Sequence, residues 1–222
     1  MHTCVKHGTA TPDERLVTPP AGLFAAMLTL GLGGFFIGTG EFASMSLLPS
    51  LADGTGVSVP EAGRYISAYA IGVVVGAPLI AVVGARWPRK ILLLSLLALV
   101  IIGYLASAMA WNAPSLLVAR FVSGLPHGAW YGVGGLAASV MVPVSRRTQY
   151  IGYVMLGLAA ANVAGVPAMT WLGQHLGWRA AFLFVAAGCV LTTIMLIFFL
   201  PATPGTKNVS LLHELTALRK PQ

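Results

Sequence analysis

Glu41 and Arg120 are the two charged residues that lie well inside the long apolar stretches of this 222-residue chain. Glu41 comes eight residues before Pro49, and Arg120 comes seven residues after Ala113. At a rise of about 1.5 Å per helical residue, both side chains are expected roughly 10–12 Å below one common boundary. Charges at such depth are costly and usually mark an ion or substrate path. The sequence therefore predicts that the acid and the base pair directly or through water. A buried pair that only fixes helix register is the alternative.

His127 follows Arg120 by seven residues and therefore lies on nearly the same face of a predicted fourth helix. A histidine at this depth can carry a proton, and a hydrogen-bonded packing histidine is the equally good alternative. Pro126 removes a backbone donor and predicts a bend in this helix. The same stretch has a face of small residues that lets a neighbouring helix approach closely. The members of this face are Gly124, Gly128 and Gly132.

The fifth apolar stretch carries a second pattern of small residues, together with a proline and an amide. Gly157, Gly165 and Pro167 predict a flexible helix with a bend, and Asn162 is a polar residue near its middle. Bent helices near the midplane are typical of carriers that open alternately to the two sides. Packing through small residues is the alternative for any single glycine.

The composition indicates where these residues lie. Hydrophobic residues make up 57% of the chain and charged residues only 9%, against about 25% charged in ordinary soluble domains. A soluble enzyme is thereby excluded, and the alternating segments typical of outer-membrane barrels do not occur. We predict an all-α membrane protein with six transmembrane helices, because six apolar runs each reach the ~20 residues that cross a bilayer. These runs are Ala21–Leu48, Tyr65–Val83, Ile91–Ala110, Pro114–Val142, Tyr150–Leu172 and Ala180–Leu200.

The positive charges are distributed unevenly between the loops. Of the 13 Lys and Arg residues, ten lie in the chain ends and in loops 84–90 and 143–149, two lie in the opposite loops, and Arg120 lies inside a helix. Because basic loops stay in the cytoplasm, both termini are predicted there. We expect a cytoplasmic tail at 1–20, a transmembrane bundle at 21–200 and a cytoplasmic connector at 201–222. The net charge of +7 indicates an anionic lipid surface as partner rather than nucleic acid.

The connector contains a short amphipathic pattern, Val209–Leu218, that predicts a helix lying on the membrane surface. A disordered chain end is the alternative.

Several other kinds of site are missing from the sequence. Gly205-Thr206-Lys207 lacks the pattern of a phosphate-binding loop. An intramembrane serine protease needs its serine and histidine on different helices, whereas Ser123 and His127 share one. Cys4 and Cys189 fit no metal-ligand spacing. We therefore expect no enzyme, no metal and no cofactor.

Four segments resemble motifs of the major facilitator superfamily. The first is the loop G-A-R-W-P-R-K (84–90), which resembles the family signature G-x-x-x-D-R-x-G-R-K, with Ala85 in place of the acidic residue. The basic residues that match are Arg86, Arg89 and Lys90.

The other three segments lie within the apolar stretches. A-R-F-V-S-G-L-P-H-G-A-W-Y-G (119–132) resembles the R-x-x-x-G motif of the fourth span, whose arginine is implicated in proton coupling. A-N-V-A-G-V-P-A-M-T-W-L-G-Q-H-L-G-W-R (161–179) resembles the antiporter motif of the fifth span, and G-E-F-A-S-M-S-L-L-P (40–49) resembles part of the first. Their order makes the chain similar to the twelve-span drug:proton antiporter family, close to the arabinose-efflux and chloramphenicol-efflux permeases.

The resemblance implies a fold and a function. Members of this family have two six-span halves, so the chain is expected to form one of them, the N-terminal half with a 3+3 repeat. It would act in the cell inner membrane as a secondary active transporter, coupling efflux of a small molecule such as a drug or sugar to proton movement. It would need a C-terminal six-span half or a second copy as partner. The alternative is a six-span fragment or scaffold that does not transport by itself.

The resemblance also suggests roles for particular residues. Glu41 would accept the proton or bind a cation, Arg120 would adjust its charge state, and His127 would take part in the coupling. We expect Arg86, Arg89 and Lys90 to serve a cytoplasmic gate. Residues expected to line the substrate cavity are Tyr131, Asn162 and Met155.

Overall fold

The computed structural model describes residues 22–201, and within them every regular element is helical. The helices in chain order are α1 (Leu23–Ser46), α2 (Leu48–Thr55), α3 (Val59–Gly84), α4 (Arg89–Ala108), α5 (Ala113–Gly124), α6 (His127–Ser139), α7 (Arg147–Ala160), α8 (Val166–Leu176) and α9 (Trp178–Phe199). A 3-10 turn at Val144–Arg146 precedes α7, and a π-helical turn at Ala161–Gly165 joins α7 to α8. The tail at 1–20 and the amphipathic segment Val209–Leu218 lie outside the described residues.

Five helices in this range are long and apolar enough to cross a membrane: α1, α3, α4, the continuous helix Val144–Leu176 and α9. The remaining apolar run, 114–142, is divided between α5 and α6. Pro126 lies at the break because it has no N–H to donate to the carbonyl of Val122. The N–H of Leu125 bonds to that carbonyl instead, at 3.3 Å. The helix is therefore interrupted at Pro126, and a bend at this position stays a prediction.

The predicted start of the second span at Tyr65 is wrong, because α3 begins at Val59, within the predicted loop 49–64. A capping box starts this helix: the Ser58 side chain accepts a hydrogen bond from the N–H of Glu61, and the Glu61 carboxylate accepts one from the N–H of Ser58. These polar residues reduce the local hydropathy, yet they are typical of a helix N-terminus. The same loop also contains the unpredicted helix α2.

Helices α1 and α7 pack closely and run in the same direction. Gly157 of α7 lies against the backbone of Gly31, and eight residues further along both helices Gly165 lies against Thr39. The residue numbers therefore increase together along the contact. The missing side chains at Gly31 and Gly157 allow the two backbones to touch.

Helix α3 packs on α5 in the same manner. Gly72 lies against the backbone of Phe121, and Gly76 lies against that of Leu125. The residue numbers again increase in the same direction along both partners, so α3 and the stretch formed by α5 and α6 are parallel.

Helices α4 and α9 are antiparallel. At one end of the pair, Lys90 Nζ donates hydrogen bonds to the carbonyls of Ile197 and Leu200 at 2.7 and 2.6 Å. At the other end, Arg179 Nη2 donates to the carbonyl of Ala110 at 3.0 Å. The latter end of the bundle, which also carries α2, is called the α2 end below.

Candidate functional site

An acid, an imidazole and a phenol from three helices form a connected group inside the bundle. Oε2 of Glu41 (α1) lies 3.3 Å from Nε2 of His127 (α6). Nδ1 of His127 lies 2.9 Å from the hydroxyl of Tyr69 (α3). The His127 side chain is 10% exposed and that of Glu41 is 29% exposed, so the acid is the member of the group that reaches the surface of the bundle.

The guanidinium group of Arg120 lies beside this group and is completely buried. It stacks over the ring of Tyr69 at 4.5 Å from the ring centre and contacts the rings of Tyr104 and Phe182 at 5.5 and 5.4 Å. Aromatic faces attract a cation in this way. Its Nη2 donates a long hydrogen bond of 3.5 Å to the carbonyl of Gly40, whereas Nε and Nη1 have no partner within residues 22–201.

The expected direct ion pair between Glu41 and Arg120 is not formed. Arg120 reaches the backbone of Gly40, the residue before the acid, so the two residues lie at a similar level of the bundle. Successive side chains on a helix point about 100° apart, and the carboxylate of Glu41 therefore turns toward His127 of α6. A contact through water stays a prediction.

Two further aromatic contacts complete the surroundings. The hydroxyl of Tyr131 donates to the carbonyl of Gly34 at 2.7 Å, and its ring centre lies 5.2 Å from that of His127. Gly40 lies directly against the hydroxyl end of Tyr104, so any side chain at position 40 would collide with that ring. The hydrogen bond to Gly34 thus positions Tyr131 beside the imidazole of His127.

The other two predicted cavity residues lie on the continuous helix formed by α7 and α8. Asn162, in the π turn, is exposed, and its Nδ2 donates to the carbonyl of Leu158 on the same helix at 3.2 Å. Met155 is 37% exposed. Their roles as cavity lining stay predictions.

The basic loop residues have different environments. Arg86 is exposed, and Arg89 lines a cavity of about 320 Å³ between the end of α3 and α6. Lys90 binds the last carbonyls of α9, where a positive charge complements the helix dipole. Lys90 therefore caps the C-terminal end of α9. The gating role of Arg86, Arg89 and Lys90 stays a prediction.

The predicted bend in the fifth stretch coincides with a local change of helix type. Pro167 is the second residue after the π turn Ala161–Gly165, and proline removes one donor from the helical ladder. Gly157 and Gly165 lie against α1, which explains their lack of a side chain. Any hinge motion here stays a prediction.

Three residues that surround Arg120 were not predicted from the sequence: Tyr69, Tyr104 and Phe182. One signal was available: Tyr104 lies six residues before Ala110, so its depth from the α2 end is close to that of Arg120. A polar aromatic residue at the depth of a buried charge is a candidate partner for that charge.

The fold and the site define an all-helical membrane protein with an acid, an imidazole and a guanidinium group at one level of its bundle. The chain belongs to the Major Facilitator Superfamily, whose sequence profile matches residues 30–221. This confirms the family predicted from the motifs. The relatives in this family are transporters rather than enzymes.

Individual relatives support this assignment. The chain is 40% identical over 196 residues to the inner membrane transport protein YdhP of Escherichia coli, covering 88% of this chain and 50% of the relative. It is 34% identical over 190 residues to a chloramphenicol resistance protein of Streptomyces lividans, covering 84% and 48%. The crystal structure of a D-xylose-proton symporter superposes with a TM-score of 0.71 at 15% identity, covering 90% and 52%. The chain thus spans about half the length of the curated relatives that it matches.

Proposed function

We propose that the chain is the N-terminal half of a secondary active transporter that couples efflux of a small molecule to proton movement. The observation that carries this proposal is the group of Glu41, His127 and Arg120 at one level of a membrane bundle. Only Glu41 among the three is partly exposed. The similarity to a chloramphenicol resistance protein favours a drug as the substrate. A sugar efflux transporter at 30% identity favours a sugar as the second class.

The charges explain how such a site would couple a proton to transport. A carboxylate bonded to an imidazole on another helix holds α1 and α6 together. When the carboxylate takes a proton its charge is lost, and the bond between the two helices becomes weaker. The nearby guanidinium of Arg120 favours the charged carboxylate until a proton or a substrate competes.

We further propose that residues 22–201 cross the membrane six times. The parallel packing of α1 on α7, and of α3 on α5, supports this count. Between α3 and α5 the chain must reverse twice to run in the same direction again, and between α1 and α7 it must reverse an even number of times, which the four reversals of a six-crossing chain satisfy. The stretch of α5 and α6 therefore counts as one crossing despite its break, since its 27 positions, 113–139, reach about 40 Å at 1.5 Å per residue.

The pairing of helices also supports an inverted 3+3 repeat. The first crossing (α1) packs on the fifth (α7 and α8), the second (α3) packs on the fourth (α5 and α6), and the third (α4) packs on the sixth (α9). If crossings one, two and three are exchanged with crossings four, five and six, the same set of contacting pairs results. The antiparallel pair of α4 and α9 is exchanged with itself. Such a relation is typical of two repeats with opposite orientation in the membrane.

The orientation follows from the basic loops. Loops 84–90 and 143–149 lie at the end opposite to α2, and their positive charges favour the cytoplasm. We propose that both chain termini lie on the same cytoplasmic side, in the inner membrane where the relative YdhP belongs by name. Attaching a reporter to each terminus would test this, since activity of either reporter outside the cell contradicts the orientation.

A partner half is proposed because the surface of the bundle has an open apolar groove. The groove has a volume of about 700 Å³ and lies between α1 and α7, with Phe24, Leu28 and Leu156 among its lining residues. The chain also spans only half of its relatives. A C-terminal six-span half or a second copy would cover the groove. The alternative, supported by the same observations, is that the chain alone does not transport.

The function can be tested in vesicles that contain this chain together with the C-terminal six-span half of a relative. We would load chloramphenicol or arabinose as probes and measure their movement under an imposed proton gradient. E41Q removes the titrating acid and R120A removes the guanidinium, and both are expected to abolish gradient-driven movement. E61Q is the matched control, because Glu61 is exposed and glutamine can replace it in the capping box.

The outcomes separate the hypotheses. Unchanged transport in both E41Q and R120A would remove these residues from the mechanism. Equal transport by the chain with and without the partner half would contradict the need for a second half. Absence of probe movement with the partner half present, in correctly inserted protein, would favour the non-transporting fragment for these two substrates.

A further inference from the structure

Tyr69 contacts both segments of the broken fourth crossing. Its ring lies under the guanidinium of Arg120 in α5, and its hydroxyl lies 2.9 Å from Nδ1 of His127 in α6. The side chain is 2% exposed. The backbone of Tyr69 also contacts Gly124 just before the break. One residue of α3 therefore controls the position of two charged or titrating groups on opposite sides of Pro126.

We propose that Tyr69 is a positioning residue that holds His127 in one tautomer, with hydrogen on Nε2, throughout the proton cycle of Glu41. A neutral imidazole has one donor and one acceptor nitrogen. A carboxylate only accepts hydrogen bonds, so Nε2 must be the donor when Glu41 is charged. Nδ1 is then the acceptor, and the hydroxyl of Tyr69 donates to it.

The contacts of the neighbouring groups favour Tyr69 as the residue that donates to Nδ1 of His127. The groups in contact with the imidazole include Glu41 on α1, Tyr69 on α3 and Tyr131 on α6. Within the described residues the hydroxyl of Tyr131 is bonded to the carbonyl of Gly34, and the hydrogen bond to Nδ1 comes from Tyr69. The edge-on packing of the Tyr69 and His127 rings, with centres 5.9 Å apart, further restrains the imidazole.

The consequence for transport rests on the proposed function, whereas the tautomer itself does not. While Glu41 carries a proton, the carboxylate no longer requires a donor at Nε2. Tyr69 would keep the hydrogen there, so that the imidazole is ready to donate as soon as the acid loses its proton. No proton passes through His127 in this scheme, and no rearrangement of its ring is needed between the two states.

The test is nitrogen NMR of the full chain labelled at histidine, in lipid nanodiscs, because protonated and unprotonated ring nitrogens differ strongly in chemical shift. E41Q imitates the protonated acid and makes Tyr69 the determinant of the tautomer. In E41Q we expect His127 to stay in the Nε2–H form. In E41Q/Y69F we expect the Nδ1–H form to increase several-fold. Loss of the peak in H127Q assigns the signal.

E41Q/Y65F is the matched control. Tyr65 lies one turn earlier on α3, is equally buried, and donates or accepts one hydrogen bond to Thr55 at 2.8 Å. Phenylalanine there removes a buried hydroxyl without touching His127, and we expect the tautomer to be unchanged. The proposal is overturned if E41Q alone loses the Nε2–H form, if E41Q/Y69F keeps it, or if E41Q/Y65F changes it equally.

A transport measurement on Y69F and Y65F, made as described for E41Q, separates this proposal from the proposed function. A tautomer change without any wild-type transport would leave the positioning role intact and contradict the transporter. Transport by the wild-type chain without a tautomer change in E41Q/Y69F would support the transporter and contradict the positioning role of Tyr69.

Discussion

Three glycines on one face of the fourth crossing provide a graded test of helix packing. A Cβ atom added at Gly124 would collide with the backbone carbonyl of Tyr69, and one at Gly128 would lie 3.0 Å from the Cβ of Ala77. A Cβ at Gly132 meets nothing within 4 Å. None of the three has a positive φ, so alanine is compatible with the backbone at each position.

The expected energies follow from these neighbours. Replacing glycine by alanine in a helix raises the free energy of unfolding by about 0.5–1 kcal/mol, because the unfolded chain has less conformational freedom to lose. G132A should show this gain. Inserting a methyl group against a fixed backbone costs about 1–3 kcal/mol, because α3 and α5 must move apart. The helical gain is the same in G124A and G132A, whereas the packing cost occurs in G124A. The free energy of unfolding of G124A should therefore be about 1–3 kcal/mol lower than that of G132A, and that of G128A should lie between them.

The assay is equilibrium unfolding of the purified chain in mild detergent, followed by tryptophan fluorescence. The order G132A, G128A, G124A of decreasing free energy of unfolding is expected. The packing argument is refuted if G124A is as stable as G132A, or if G128A is the least stable of the three.

Three other variants are expected to change the free energy of unfolding. K90M should cost about 0.5–1 kcal/mol, because the cap at the end of α9 is lost, and an equal loss in R86M, at an exposed site, would contradict this reason. Y131F should cost about 1 kcal/mol, because it removes the hydrogen bond to the carbonyl of Gly34; no change in a thermal melt would argue against it. S58A should cost about 1 kcal/mol through loss of the helix cap, and an unchanged denaturation midpoint would show that α3 starts without it.

The local features of the fold could be predicted from the sequence because each depends on neighbouring residues. Apolar length predicts the helices, and the missing N–H of Pro126 predicts the break between α5 and α6. The similar level of Glu41 and Arg120 follows from counting residues to the ends of two helices. The start of α3 at Val59 is also encoded locally, by the capping residues Ser58 and Glu61, although their polarity lowers the hydropathy of this segment.

The partner of the acid could not be predicted in this way. Whether Glu41 meets Arg120 or His127 depends on the rotation of α1 relative to α5 and α6, which residue counting does not determine. Arg120 is instead enclosed by the rings of Tyr69 and Tyr104 from two other helices. Such contacts arise only when the whole bundle packs.

The π turn at Ala161–Gly165 has an angular consequence for the longest helix. Sixteen residues separate Gly157 from Gly173, and a regular helix would turn these positions about 160° apart. The turn absorbs about one extra residue, which reduces the difference to about 60°. Both glycines therefore face α1, one against Gly31 and the other against Leu47. Deleting the extra residue of this turn would restore a regular helix with both glycines still facing α1, whereas deleting one residue from the regular part of the helix between them would rotate Gly173 by about 100° away from Leu47.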